Sequence, residues 1–282
     1  MKLQYLGTAA AEGIPALFCK CERCTKARKL GGKNVRSRSQ AIIDGKLLID
    51  FPADTYYHSL LYSIDLSDIR HVLVTHSHSD HLYPNDIYMR TPGFSSLGKS
   101  EEEKLHFYGA NGCMKKINSY MASVGFGHDE FLEVHVLEPY KEYKIDDYTV
   151  IPLEALHDIS SAPFIYIIKS PDGKTLLYGN DTNYFADKVW EYLEKSGIRF
   201  DFVSLDCTDA NIPDRRYIGH MNLSENSQVR ERLIAMGRAD EKTVFCCNHF
   251  SHNGDDVIFE DFSVLAEKKG FIVSYDGMTV EF

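Results

Sequence analysis

Between positions 76 and 81 the chain reads His76-Ser77-His78-Ser79-Asp80-His81, three imidazoles and a carboxylate within six residues. In extended or loop backbone, positions 76, 78 and 80 project to one side and His81 reaches an adjacent point. Such an array can serve two cations about 3.5–4 Å apart, the spacing used by two-metal hydrolases. The competing explanation is three surface histidines by coincidence, which 12 histidines in 282 residues make a poor account of. A zincin helix is excluded, because no His-Glu-x-x-His occurs. Imidazole and carboxylate suit Zn, Mn or Fe. Cations held this way bring the pKa of water down to about 7, and a second one can neutralise an oxygen of the substrate.

The pattern His-x-His-x-Asp-His behind an apolar run resembles the signature of the metallo-β-lactamase superfamily. That resemblance implies further ligands, and residues of the right type follow in the right order. They are His157 in Leu156-His157-Asp158, Asp181 in Tyr178-Gly179-Asn180-Asp181-Thr182, and His249 in Cys247-Asn248-His249-Phe250-Ser251-His252. Taken alone, His157 and Asp181 read as structural residues; their order behind the cluster makes them ligands. By resemblance, His76, His78 and His157 hold one metal, Asp80, His81 and His249 hold the other, and Asp181 bridges them. Asp80 is thereby a catalytic residue. The resemblance also implies the fold: an α/β (by some schemes α+β) sandwich of two β-sheets with helices outside, αββα, as one domain over residues 1–282.

Three cysteines crowd into Cys19-Lys20-Cys21-Glu22-Arg23-Cys24. In a chain read as intracellular, such spacing suggests metal ligation before disulfides, the alternative being a buried pair and a free thiol. Together with Leu6-Gly7-Thr8 this loop is similar to that of the accessory cyclic phosphodiesterases of the carbon–phosphorus lyase pathway and their relatives. The resemblance implies a structural zinc on Cys19, Cys21, Cys24 and His252, the last standing three residues after His249. It further implies that Asp206, in Ser204-Leu205-Asp206-Cys207-Thr208, orients a ligand imidazole, a turn or capping role being the alternative. His220, in Gly219-His220-Met221-Asn222-Leu223, would contact phosphate and donate a proton, or else merely cap the helix it opens. Phe51-Pro52-Ala53 after Asp50 departs from relatives with a glycine there and is expected to reshape the pocket floor. Cys246 and Cys247 read as core residues of an apolar strand, and Cys113 and Cys207 carry no metal spacing.

These residues need strands to present them. Short strand-like runs cover residues 2–6, 40–43 and 46–51, the last two joined by Asp44-Gly45, a hairpin turn signal. Residues 70–75 form a β-branched run suited to burial, ending where the histidines begin. Further strands are expected at 105–108, 133–137, 148–153, 164–169, 174–178, 202–205, 243–247 and 271–275, with helices at 55–63, 185–195 and 223–236. Asp172-Gly173 turns between two of the strands. Residues 92–103 are polar and Gly/Ser-rich, an exposed loop expected near the site.

Composition is that of a globular chain, 44% hydrophobic and 26% charged, with 19 Gly and 9 Pro. No window offers the roughly 18 consecutive apolar residues of a membrane span, and the N-terminus lacks a signal-peptide pattern, so a cytoplasmic protein is expected. The net charge of −10 argues against a broad phosphate-binding face and makes nucleic acid an unfavoured partner. The function expected is hydrolysis of a small or cyclic phosphodiester, such as a cyclic ribose phosphate or cyclic nucleotide, with two divalent ions (Zn or Mn, possibly Fe) in the active site. A homodimer is compatible with it. Rival readings are a thioester or lactone hydrolase, a transfer-RNA 3′-processing nuclease, which usually carries a basic arm absent here, and a non-catalytic metal-binding protein of cofactor biosynthesis, which often lacks a ligand. Redox diiron relatives are disfavoured, since they commonly have an acidic residue where this chain has His78.

Overall fold

The structure, a computed structural model, describes residues 1–91, 93–97, 104–125, 131–158, 160–213, 218–255 and 257–282. In chain order these form β1 (Lys2–Gly7), α1 (Glu22–Leu30), β2 (Gln40–Ile43), β3 (Leu47–Ile49), α2 (Thr55–Leu61), β4 (His71–Leu73), β5 (Leu105–Gly109), α3 (Asn111–Ser123) and β6 (Leu132–Val136). There follow β7 (Tyr143–Ile145), β8 (Tyr148–Glu154), β9 (Phe164–Lys169), β10 (Thr175–Gly179), α4 (Asp187–Ser196), β11 (Phe202–Asp206), α5 (Leu223–Ala235), β12 (Val244–Asn248), α6 (Phe259–Glu267), β13 (Ile272–Val273) and β14 (Thr279–Glu281).

Two seven-stranded sheets result, ordered β14-β1-β2-β3-β4-β5-β6 and β13-β12-β11-β10-β9-β8-β7. Each is mixed: β3 to β6 run parallel in the first and β10 to β13 in the second, with antiparallel strands completing both. Strand alternation decides the layering. In β9, Phe164, Tyr166 and Ile168 join the core shared with the first sheet, while Ile165 and Ile167 face the other way. In β10, Leu176 and Tyr178 separate from Leu177 in the same manner. The outward face of the second sheet packs on Val189, Trp190 and Leu193 of α4, Val229 and Leu233 of α5 and Phe262 and Ala266 of α6. Cys113, Met114, Ile117 and Met121 of α3 pack with the first sheet. Each fully buried Val, Leu, Ile, Phe or Met among them stabilises by about 1.5–3 kcal/mol. This is the αββα sandwich, two sheets flanked by helices.

The strands expected from sequence are present with shifted ends. The run 46–51 is β3 over three residues and 70–75 is β4, because Asp50 and Thr75 turn out of the ladder to bond each other. Helix 55–63 stops at Leu61, helix 185–195 runs Asp187–Ser196, and 223–236 ends at Ala235. Asp44 and Gly45 take φ of 51° and 70°, as a tight hairpin between β2 and β3 requires. Helices α1, α3 and α6 and strands β7 and β14 add to that reading. Cys113, Cys207, Cys246 and Cys247 are all buried.

The site end of the sandwich is stitched across the sheets. Tyr166 Oη donates to Val74 O at 2.6 Å and Phe164 N to Thr75 O at 2.8 Å. Beyond β1, Phe250 N donates to Thr8 O and Ala10 N to Phe250 O, both at 2.9 Å. Gly7 makes that course possible: a Cβ there would stand 2.0 Å from Arg38 O.

Candidate metal centre

Parallel strands present their carboxyl ends together, and ligands gather outside those ends. Here β3 delivers Asp50, β4 the segment from His76 to His81, β10 Asp181, β11 Asp206 and β12 His249. His157 comes from the loop after β8. Asp50, Asp181 and His249 all take positive φ, 68°, 50° and 62°. Non-glycine residues tolerate this at a cost of order 1–3 kcal/mol each, and such residues gather at functional sites.

The seven expected ligands come together. Ligand atoms of His76, His78 and His157 lie within 4.8 Å of one another, as do those of Asp80, His81 and His249, and those of His76, His81 and Asp181. Asp181 Oδ2 stands 3.1 Å from His81 Nε2 and 3.0 Å from His249 Nε2, and its Oδ1 stands 3.7 Å from His157 Nε2. Asp181 thus touches both groups.

The outer ring nitrogens are engaged elsewhere, which fixes the inner ones. His81 Nδ1 donates to Asp50 Oδ2 at 2.7 Å, His157 Nδ1 to Gly219 O at 3.2 Å, and His76 Nδ1 meets Thr75 Oγ1 at 3.1 Å. Thr208 Oγ1 lies 2.9 Å from His249 Nδ1. Those four histidines therefore aim Nε2 inward. His78 instead turns Nδ1 inward, 2.9 Å from His76 Nε2 and 3.2 Å from His157 Nε2, while its Nε2 faces Asp158 at 3.3 Å. Histidine ligands are oriented by such partners.

Sequence reasoning assigned no role to Asp50, Thr75, Asp158 or Thr208. An aspartate ending an apolar strand directly before the turn was the available signal for Asp50. For Thr208 only its place two residues after Asp206 could have served. The Phe51 side chain packs edge-on against Phe107 and lines a separate apolar cavity of about 230 Å³, while its backbone N–H donates to His81 O at 2.7 Å. Ser95, Ser96 and Leu97 line that same cavity and not the catalytic cleft; residues 92 and 98–103 of the expected loop lie outside the described residues.

Electrostatics test whether cations fit. Burial disfavours charge on His76, and its histidine neighbours push its pKa down further. Burial also opposes charge on His81, yet Asp181, Asp50 and Asp80 overcome it and raise its pKa well above the usual imidazole range. Burial would raise Asp80, but His81 and His249 hold it well below the usual carboxylate range. Most telling, His81 Nε2, His249 Nε2 and Asp181 Oδ2 are buried and make no hydrogen bond. Buried polar atoms in that state are costly. A divalent cation accepts all three lone pairs at once, so the donor set fits a metal.

Beside the ligands lies a second arrangement. His220 Nδ1 donates to Asp206 Oδ2 at 2.8 Å, and His249 Nδ1 stands 3.5 Å from the same oxygen. Asp206 is fully buried and also accepts the backbone N–H groups of Asp181, Thr208 and Met221. Burial alone would lower the His220 pKa; the Asp206 carboxylate reverses this and takes it to about 9. Asn222 caps α5 through a capping box with Glu225, which fixes the chain two residues beyond His220. His78, Asp80, His157 and His220 line a cleft of about 230 Å³, with Glu12 and Ser251 on its wall.

Cys19, Cys21, Cys24 and His252 form a separate group with ligand atoms within 4.8 Å. His252 Nδ1 is 3.5 Å from both Cys19 Sγ and Cys21 Sγ. Cys21 caps α1 while Cys24 lies inside its first turn, so one helix start gathers two of the thiols.

Several solved structures with this fold cover the whole chain, and two of them show the likeness. One is a diphosphatase of the PhnP family, with a TM-score of 0.74 and 20% identity, 96% of that chain being covered. The other is Zn(2+)-bound PqqB from Methylobacterium extorquens, with a TM-score of 0.76, 16% identity and 100% of that chain covered. Ribonuclease Z from Methanocaldococcus jannaschii is 28% identical over 176 residues, 61% of this chain, and the match spans about half of that relative, 49% of its length. Residues 51–240, well over half of the sequence, match the Beta-lactamase superfamily domain, and the chain belongs to that family.

Proposed function

We propose that this protein is a binuclear metal-dependent hydrolase, a phosphodiesterase for small or cyclic phosphodiesters such as a cyclic ribose phosphate or cyclic nucleotide. The observation that supports the reading is the pairing of two ligand groups with an Asp206–His220 dyad on one small cleft. His76, His78 and His157 would hold one ion and Asp80, His81 and His249 the other, with Asp181 between them. Two such ions, Zn or Mn or Fe, supply Lewis acidity, activating water and offsetting charge on phosphoryl oxygens.

The chain's own groups do the rest. Asp50 and Thr208 keep His81 and His249 in the tautomer that turns Nε2 to the centre. With Nδ1 committed to Asp206, His220 presents Nε2 as the nitrogen that donates to a phosphoryl oxygen and then protonates the leaving alkoxide. On binding zinc, Cys19, Cys21 and Cys24 would give up their thiol protons and with His252 supply a closed set of three thiolates and one imidazole, which suits a structural zinc.

Purified protein, loaded with Zn or Mn, is assayed on bis-p-nitrophenyl phosphate, cyclic nucleotides, cyclic ribose phosphates, a thioester, a lactone and a transfer-RNA precursor. Turnover of the cyclic phosphodiesters that Asp80→Ala abolishes, in a protein that still folds, supports the reading. Wild-type turnover by Asp80→Ala at saturating metal removes the two-metal assignment. Preference for the RNA, as the name of the Ribonuclease Z relative suggests for that protein, replaces the substrate class, and inactivity on every substrate favours a non-catalytic metal-binding protein.

A further inference from the structure

At the opposite end of β4 from the catalytic ligands, the parallel strands carry a second row of histidines. His71 pairs in register with His106, His106 with Glu133, and Tyr108 with His135. All five side chains therefore share one face of the first sheet. His106 Nδ1 is 3.0 Å from His135 Nε2. Glu133 reaches both, Oε2 at 4.0 Å from His106 Nδ1 and Oε1 at 3.8 Å from His135 Nε2. The rings are packed in place: His106 stacks on His71 at 5.3 Å between centroids, and His135 on Tyr108 at 4.4 Å.

We propose that His106, His135 and Glu133 bind a divalent transition-metal ion, of which Zn²⁺ is the model, clipping the edge strand β6 to β5. Two imidazoles and a carboxylate are a donor set such ions take, with water completing the coordination. Two nitrogens sharing a tetrahedral zinc at about 2.0–2.1 Å stand roughly 3.3 Å apart, close to the separation of the His106 and His135 nitrogens. The carboxylate needs to close by well under the freedom of a half-exposed glutamate. A plain N–H···N hydrogen bond between neutral rings would give the same 3.0 Å; what it does not use is the placement of the two Glu133 oxygens, one toward each nitrogen. Lys104 Nζ, 3.8 Å from Glu133 Oε2, competes for the carboxylate from a partly exposed position and can swing into solvent. Burial lowers the pKa of His71, His106 and His135 alike, which keeps the rings neutral and able to coordinate.

The site lies at neither the catalytic cleft nor the cysteine group, so zinc counting separates it. Zinc-loaded wild type, His135→Gln and Glu133→Gln are equilibrated at micromolar free zinc and their metal content compared. One zinc equivalent more in wild type than in either variant, at unchanged phosphodiester turnover, is the expected result. Equal content in all three overturns the site. Should the variants not fold, mass mapping of diethylpyrocarbonate modification on wild type decides it. Added zinc must protect His106 and His135 from modification, and unaltered labelling of both refutes the proposal.

Discussion

At the scale of single residues, the work of the centre is a question of which nitrogen faces which atom. Thr75, Thr208, Asp50 and the Gly219 carbonyl each occupy one side of an imidazole and thereby aim the other. His220 is turned by Asp206 in the same way. If His220 protonates the leaving group, His220→Ala should slow hydrolysis of an alkyl phosphodiester by roughly 10²–10⁴, the range of general acid catalysis. The loss should shrink on bis-p-nitrophenyl phosphate, whose leaving group needs little protonation. Parallel loss on both, measured as kcat at saturating substrate, would identify His220 as a phosphate-binding group instead. The residues of the candidate ligand groups were legible in the sequence because metal donors are few in kind and their order along the chain is constrained. The orienting partners were not. Threonine and aspartate occur everywhere, and only the fold brings Thr208 within 2.9 Å of a histidine 41 residues away.

At the scale of elements, the loops succeed through backbone that a side chain would spoil. Gly219 holds φ of 96°, and a Cβ there would lie 2.9 Å from both Cα and Nδ1 of His157. Gly219→Ala must therefore displace His157 or itself, with strain of order 1–3 kcal/mol. The expected result is a folded protein whose weaker metal is lost to a chelator at lower concentration than in wild type, with a matching fall in activity. Unchanged chelator resistance would show that the loop absorbs the methyl freely. Helix α2 is anchored differently, by His58, which donates from Nδ1 to Gln40 Oε1 at 2.6 Å and meets Ser37 Oγ at 2.7 Å. Burial pushes the His58 pKa down to about 4, only partly offset by Asp54. The unfolded chain protonates this histidine near pH 6.5 while the native protein resists until about 4, so the unfolded state binds more protons in that window. Stability should accordingly fall as the pH drops through it, by up to about 1.4 kcal/mol per unit from this one group. His58→Gln, though less stable at pH 7, should lose less between pH 7 and pH 5 in urea titrations; identical losses would mean the other buried histidines govern acid sensitivity. Strands were legible through their apolar runs and the Asp-Gly turns. Helices α1 and α3 were hidden because one starts inside the cysteine loop with a basic sequence, and the other opens on Asn111-Gly112, poor helix formers. The apolar spacing of Cys113, Met114, Ile117 and Met121 was nonetheless there to be read.

At the scale of the whole molecule, the two sheets share an interior but present the candidate metal ligands from both, so their relative placement has to be held at the cleft. Three devices do this. Tyr166 and Phe164 bond the exit of β4, Phe250 pairs with Thr8 and Ala10, and the cysteine loop meets His252. The last of these brings Cys19 and Cys21 to His252, three residues from His249. Glu12 joins the same region, with Oε1 accepting from Ser251 Oγ at 3.2 Å and Asn253 Nδ2 at 3.3 Å. A zinc on Cys19, Cys21, Cys24 and His252 would therefore fix the N-terminal loop and the His249 segment as one body. Because ions bound only by the folded state stabilise it, Cys24→Ser should unfold at lower urea concentration than wild type. It should contain about one zinc equivalent less by elemental analysis. Displacement of His249 should also weaken the ion shared with Asp80 and His81, so activity becomes dependent on added metal. Asp80→Ala provides the contrast: it should lose activity and a catalytic ion while keeping the cysteine-bound zinc and its stability toward chelators. A Cys24→Ser protein with full zinc content and unaltered chelator resistance would rule the structural site out, and would leave the Phe250 pairing as what holds His249 in register.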